Sequence, residues 1–257
     1  MNKALLSIAG FDPTGGAGIL LDLKVFQQLG YQGMAAITAQ TVQNTQELVS
    51  IRQLSPGLIW SQYHTLSRDV DIQGIKVGML GFSDNIEILE RILVENPSIP
   101  KVIDPVFQAS SGAWLLPRAS IPEFMRSIRG RASLITPNLD EASLITGKVV
   151  QDLSAMEQAA KQIFNDFKIP VLIKGGHLAT QVTDLFYAGK HVFTFDNKRL
   201  AANVHGTGCC LSSAILCFLA AEHSLLDACR EAIAFTQTML ETSRAVGKGQ
   251  RMFVFPN

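Results

Sequence analysis

Four short segments of the chain combine residue types that can do chemistry. His205-Gly206-Thr207-Gly208-Cys209 opens a tract of small and apolar residues with a helical pattern. Free backbone N–H groups at such a helix start, made accessible by glycine, form an anion hole suited to phosphoryl oxygens or their developing charge. The helix dipole also favours the thiolate of a first-turn cysteine. The plainer reading of the same residues is a glycine turn beside a buried structural cysteine. Thr136-Pro137-Asn138-Leu139-Asp140-Glu141 carries an apolar strand end into a helix. Asn138 and Glu141, three residues apart, share one side of the first turn, where they either hold hydrated Mg²⁺ beside a nucleotide or form an N-cap with an acidic first turn. Lys174-Gly175-Gly176-His177 ends an apolar strand in a lysine, which either binds a transferring phosphate or is a solvated strand-end charge. The run Ala9 to Gly18, followed by Asp22, clusters four glycines after a strand, as a ligand cradle or a plain turn. Neither G-x-G-x-x-G nor a Walker A pattern is present, which disfavours a dinucleotide site and a P-loop.

Such residues act together only if a scaffold gathers them. Short β-rich runs without polar alternation recur at Leu5 to Ala9, Met34 to Thr38, Ile75 to Val77, Val102 to Asp104, Ser133 to Ile135 and Val171 to Lys174. They suit strands covered on both faces. Between them lie helical patterns at Ile19 to Leu29, Pro56 to Arg68, Ile86 to Leu93, Ile121 to Ile128, Asp140 to Thr146, Ser154 to Phe167 and Thr207 to Ala220. This alternation predicts an α/β fold with a mostly parallel central sheet and helices on both faces. Leu185 to Tyr187 and His191 to Phe195 flank Ala188-Gly189-Lys190, a hairpin signal that adds a small antiparallel edge. In an open parallel sheet ligands collect outside the carboxyl ends of the strands, where all four segments fall.

Composition narrows the class. With 257 residues, 47% of them apolar, a single domain spanning 1–257 can bury a substantial core, and disorder is excluded. The 22 basic and 22 acidic side chains cancel, so no net field recruits nucleic acid or an anionic membrane. The apolar run behind Lys3 meets Asp12 and a glycine-rich turn without a convincing cleavage site and is read as a first strand, not a signal peptide. The stretch Cys209 to Ala220 falls short of the ~20 residues that span a bilayer. All four cysteines lie in the last quarter, with no C-x-x-C pair, which suggests neither a disulfide framework nor a zinc site and fits a reducing cytosol.

The segments, in this order, resemble the hydroxymethylpyrimidine and phosphomethylpyrimidine kinases of thiamin synthesis, within the ribokinase-like superfamily that also holds pyridoxal kinases. The resemblance runs through Ala9-Gly10, Asp12, Gly15 to Ile19, Asp22-Leu23-Lys24, Gln43-Asn44-Thr45, Lys76 to Leu80, Asp104-Pro105-Val106 with Ser111-Gly112, Thr136 to Asn138 with Glu141-Ala142, Lys174 to His177, Asp184 and His205 to Cys209. It implies a ribokinase-like three-layer sandwich, usually a homodimer, that uses ATP and Mg²⁺ to phosphorylate 4-amino-5-hydroxymethyl-2-methylpyrimidine and then its monophosphate. By the same resemblance Gly206, Thr207, Gly208 and Cys209 form the catalytic turn, with Cys209 where many sugar kinases place an aspartate base. Lys174 would contact ATP phosphates, and Asn138 and Glu141 would organise magnesium, in part through water. Gly10, Asp22, Gln43 and Met79, with Val106 close by, would form the pyrimidine pocket.

Phe11, Phe107, Gln46-Glu47 and the segment Gly247 to Met252 depart from the family pattern, the first three at the pocket or its flap. Two other functions compete: a pyridoxal or pyridoxine kinase on the same fold, and a catalytically silent sensor. The intact set of Lys174, Asn138, Glu141 and Gly206 to Cys209 argues against the sensor.

Overall fold

The structure, a computed structural model, describes residues 3–109, 112–176, 182–197 and 204–255. Ser111 and His177, both part of the motifs above, lie outside the described residues. The strands are β1 (Ala4–Phe11), β2 (Gln32–Gln43), β3 (Leu48–Gln53), β4 (Ile72–Val77), β5 (Lys101–Ile103), β6 (Leu134–Ile135), β7 (Val171–Ile173), β8 (Val182–Tyr187) and β9 (Val192–Asn197). The helices are α1 (Gly18–Gln28), α2 (Pro56–Ser67), α3 (Asn85–Glu95), α4 (Ile121–Ile128), α5 (Leu139–Thr146), α6 (Leu153–Phe167), α7 (Thr207–Ala220) and α8 (Leu225–Glu241).

All nine strands join one sheet in the order β3-β2-β1-β4-β5-β6-β7-β8-β9. The strands β2-β1-β4-β5-β6-β7 run parallel, β8 and β9 close one edge antiparallel, and β3 pairs antiparallel with β2 at the other. The sheet therefore has two antiparallel edges where the sequence pattern indicated one. Beside β2, the strand β3 is half-exposed with the mixed sequence LVSIRQ, so it lacks the apolar run that marks the buried strands.

Successive side chains of a strand point to opposite faces, and the core divides accordingly. Leu5, Val102, Leu134 and Leu172 meet α1, α7 and α8 on one face. Leu6, Ile8, Ile75, Ile103, Ile135 and Ile173 meet α3, α4, α5 and α6 on the other. The result is the three-layer, helix-sheet-helix sandwich of the ribokinase-like folds. Helix starts are fixed locally: the Ser55 and Asp152 side chains accept from the N–H groups of Leu58 and Ala155. No helix among the described residues is long and apolar enough to cross a membrane.

The parallel register places the functional segments at one end of the sheet. Asp12 follows β1, Gln43 ends β2, Met79 follows β4, Asp104 follows β5, Asn138 follows β6 and Lys174 follows β7. Helix α7 begins against the loop after β1.

Candidate active site

Glycine permits the closest approach in the site. Gly206 has φ +81°, and a Cβ there would lie 2.0 Å from the Gly16 carbonyl oxygen. Gly18, at φ +57°, would likewise meet the Gly10 carbonyl oxygen at 2.3 Å. The glycine-rich loop after β1 and the turn before α7 are thus pressed together, which only glycine allows at these points. Between them and the strand ends opens a cavity of about 460 Å³, a volume suited to a small heteroaromatic ring and phosphate groups.

Gly206, Thr207, Gly208 and Cys209 line this cavity, with α7 pointing its first turn into it. Lys174 and Asp104 face the same turn. The Lys174 ammonium donates to Asp104 Oδ1 at 2.7 Å, and a Cβ on Gly208 would lie 2.9 Å from Lys174 Nζ. Burial opposes charge on both partners, but Lys174 and then Lys76 hold the Asp104 carboxyl below the usual range, while Asp104 and Glu141 hold the Lys174 ammonium above its own. Lys174 is therefore a fixed cation at the start of α7 and not a solvated strand end. The strand-loop junction behind it is secured by Asp184, whose Oδ1 accepts from the Gly175 N–H at 2.8 Å.

Asn138 and Glu141 also line the cavity, joined in a reciprocal cap. Asn138 Oδ1 accepts from the Glu141 N–H and Glu141 Oε2 accepts from the Asn138 N–H, each at 2.8 Å. The cap reading of this pair is the one that its side chains form, and both residues face the cavity. The Asn138 amide oxygen and Glu141 Oε2 are both committed to the helix start, so each side chain positions the other. Burial, reinforced by the nearby Asp104 charge, pushes the Glu141 carboxyl up to about 7.

Cys209 reverses an expectation. Burial outweighs the helix start and raises its thiol to about 11, although Lys76 and the Gly18 N–H act in the lowering direction. The resting group is a neutral thiol.

Gly10, Gln43, Met79 and Val106 line the other half of the cavity, where Met79 packs with Ala39 and Leu115 and against Val106. Asp22 does not join them. It is fully buried beneath the site, accepting from Ser7 Oγ at 2.6 Å, from Ser213 Oγ at 2.9 Å and from Lys76 Nζ at 2.9 and 3.0 Å. Its position in α1, one turn behind the glycine loop, aims it at β4 and α7, so it anchors α7 through Ser213 and neutralises Lys76 at the cavity floor. Phe107 is corrected in the same way: it packs edge-on to Phe124 in the core, rings 5.6 Å apart, whereas Phe11 does line the cavity.

Residue patterns alone assigned no role to Asp104, Lys76, Asp12 or His205, all of which line the cavity. The signal existed for the first two, an ammonium near the end of β4 and a carboxylate directly after the apolar end of β5. Asp12 accepts from the Thr14 N–H at 2.9 Å and the Ala17 N–H at 3.1 Å, folding the glycine loop around itself.

A family profile described as "Phosphomethylpyrimidine kinase" matches residues 12–253, from Asp12 of the glycine loop through the later segments of the site. The chain belongs to the phosphomethylpyrimidine kinase family. It is a phosphotransferase with the ribokinase-like fold. Over 253 residues it is 36% identical to the hydroxymethylpyrimidine/phosphomethylpyrimidine kinase of Aquifex aeolicus, covering 97% of this chain and 99% of that one. The enzyme of that name from Haemophilus influenzae is 35% identical over 254 residues, covering 96% and 94%. Among solved structures, phosphomethylpyrimidine kinase from Clostridium difficile is similar with a TM-score of 0.83 at 30% identity, covering 93% of this chain and all of that one. Pyridoxal kinase from Staphylococcus aureus in complex with ADP is similar with a TM-score of 0.91 at 28% identity, covering 99% and 93%. Fold similarity alone thus does not separate the two vitamin kinases, and the chemistry of the ring pocket must.

Proposed function

We propose that this kinase transfers the γ-phosphoryl group of ATP to the hydroxymethyl of 4-amino-5-hydroxymethyl-2-methylpyrimidine and then phosphorylates the monophosphate to the diphosphate. The observation that carries this reading is the meeting of an amide-bearing ring pocket, Gln43 with Met79 and Val106, and the cationic helix start of Lys174 and Gly206 to Cys209 in one cavity. An aminopyrimidine presents adjacent donors and acceptors that an amide reads in pairs, between apolar walls.

Phosphoryl transfer requires positioning and charge stabilisation above all. The first-turn N–H groups of α7 and the Lys174 ammonium bind the transferring phosphoryl group, and Asp104 fixes Lys174 so that no reorganisation is needed as charge shifts. Cys209, in the first turn, takes the hydroxymethyl proton on Sγ from its thiolate form, once the resting thiol has given its own proton to solvent. Lys76, beneath it, favours the thiolate, and Asp22 keeps Lys76 charged.

The donor set fits magnesium bound mainly through substrate phosphates. Among the described residues no three His, Cys, Asp or Glu side chains form a metal cage, and Mg²⁺ in such kinases needs only one or two carboxylates besides phosphate and water. Glu141 would hold it through water, kept in place by Asn138. When bound, the ion neutralises phosphate charge. The same reading carries a homodimer in the cytoplasm whose small-molecule partners are ATP and the pyrimidine.

A coupled ATP-turnover assay over the pyrimidine alcohol, its monophosphate, pyridoxal and pyridoxine tests the proposal. The two pyrimidines should be the preferred acceptors. Higher kcat/KM for pyridoxal or pyridoxine would assign the chain to the rival kinase, and no turnover with any of them would make it a silent binder.

A further inference from the structure

Residues 247–252 take no part in the reaction proposed above, yet they reach three walls of the cavity. The far half of this segment is fixed. Met252 and Arg244 exchange two main-chain hydrogen bonds at 2.9 Å, the Arg251 guanidinium donates to the Ser243 carbonyl, and the Arg251 carbonyl accepts from the His205 N–H at 2.9 Å, just before the turn into α7. A Cβ on Gly16 would meet Met252 Cε at 3.2 Å, so the glycine loop lies against the same segment. The near half holds the β2–β3 turn. The Gly249 N–H donates to Thr45 Oγ1 at 3.2 Å and the Gln250 N–H to the Thr45 carbonyl at 2.9 Å. Among the described residues these are the only hydrogen bonds that tie residues 44–47 to anything beyond their own hairpin. The contact is close enough to require glycine: a Cβ on Gly247 would overlap Thr45 Oγ1, and one on Gly249 would overlap the Thr45 carbonyl. Neither glycine has a positive φ, so the close approach, and not the backbone conformation, excludes a side chain.

We infer that residues 247–252 are a strap that positions the β2–β3 hairpin, and with it one wall of the acceptor pocket, against the turn before α7. The hairpin contributes Thr41, Gln43 and Leu48 to the cavity, and β3 is a half-exposed edge strand, so the sheet alone holds this wall weakly. The strap supplies a fixed post at His205 and an arm to Thr45. Releasing the arm lets the hairpin move outward in a fraction of the molecules. The acceptor then binds only the fraction that stays closed, which raises its apparent KM by the inverse of that fraction, while saturating acceptor draws the hairpin back and preserves kcat. By reciprocity, bound acceptor tightens the strap. The inference rests on the ring pocket of the proposed function and adds to it a segment outside the cavity lining.

The test is steady-state kinetics with Mg-ATP and the ring alcohol that wild type turns over. Gly249→Ala drives a methyl group into the Thr45 main chain and should raise KM for the alcohol about fivefold or more, while kcat and the ATP KM change less than about twofold. Gly247→Ala meets the Thr45 side chain instead, so Thr45→Ala should undo its effect and should leave that of Gly249→Ala in place. Hydrogen exchange on the wild-type protein makes the same test without a substitution, should the variants fail to fold: the Gly249 and Gln250 N–H groups should exchange about fivefold more slowly with the alcohol bound and at an unchanged rate with ADP alone. An unchanged KM in Gly249→Ala, a loss confined to kcat, relief of both glycine variants or of neither by Thr45→Ala, or strap amides indifferent to the alcohol would overturn the inference. A wild-type preference for pyridoxal would overturn the proposed substrate, and the strap would then stand or fall on the same ratios measured with pyridoxal.

Discussion

At Cys209 burial and the helix start act in opposite directions, and burial wins. With the thiol pushed up to about 11, only a minute fraction is ionised at neutral pH, and that fraction grows about tenfold per pH unit below the pKa. A base in this state makes kcat climb with pH from 7 toward 10. Cys209→Ala should flatten that climb and, near pH 9, lower kcat by about 10²-fold or more. Cys209→Asp, ionised at neutral pH, should restore activity with a profile flat above 7. A pH-rate series on the three proteins checks this, and a wild-type profile that stays level would remove Cys209 from the proton path. In the proposed reaction Lys174 acts on charge that moves during transfer, so Lys174→Ala should lower kcat far more than it raises KM for the pyrimidine alcohol. Unchanged kcat with a raised KM would make it a ground-state binder.

Helix starts do most of the positioning at the level of elements. The Asn138–Glu141 cap fixes α5 and delivers one carboxyl to the cavity at the cost of burying it. Its folded value is raised from the ordinary 4.5 to about 7, so the folded state holds that proton more tightly than the unfolded chain. The stability gained is present below pH 4.5 and is lost as pH rises through about 7. In ligand-free protein, thermal stability should therefore drop across this window, and Glu141→Gln, which keeps an acceptor for the Asn138 N–H, should remove that part of the drop. Identical pH profiles for the two proteins would show that Glu141 is not the group responsible.

The same scale shows what the sequence made legible. Helices α4 and α7 fall on Ile121–Ile128 and Thr207–Ala220 as their patterns indicate, because an apolar stripe or an all-apolar tract marks a buried helix strongly. Helix α8 escaped that pattern. Its buried face is Ala228, Cys229, Ala232, Ile233, Thr236 and Met239, mostly small or polar residues that leave a faint stripe. Asp22 shows the opposite failure: a carboxylate near a glycine loop looks like a ligand group until β4 supplies Lys76 and α7 supplies Ser213. Pairings between strands and helices far apart in sequence are set by topology, and residue type alone does not reveal them.

Across the whole molecule, long-range contacts complete the site. The tail that departs from the family pattern is one of them. Its Gln250 N–H donates to the Thr45 carbonyl at 2.9 Å, and a Cβ on Gly249 would fall 1.8 Å from that oxygen, so the tail clasps the tip of the β2–β3 hairpin that carries Gln43. The sheet brings Asp104, Asn138 and Lys174 from three adjacent strands to the first turn of α7, where the transferring phosphoryl group is held in the proposed reaction. A methyl group on Gly208 would intrude on Lys174 Nζ at 2.9 Å and approach Asp104 Oδ2 at 3.5 Å without touching the ring pocket. The decisive measurement is the single-turnover rate of γ-phosphoryl transfer from ATP to the pyrimidine alcohol in wild type and Gly208→Ala. Transfer slowed by about 10²-fold or more, with the alcohol bound as tightly as before, is the predicted result; transfer at the wild-type rate would mean that the phosphoryl group does not pass through this turn.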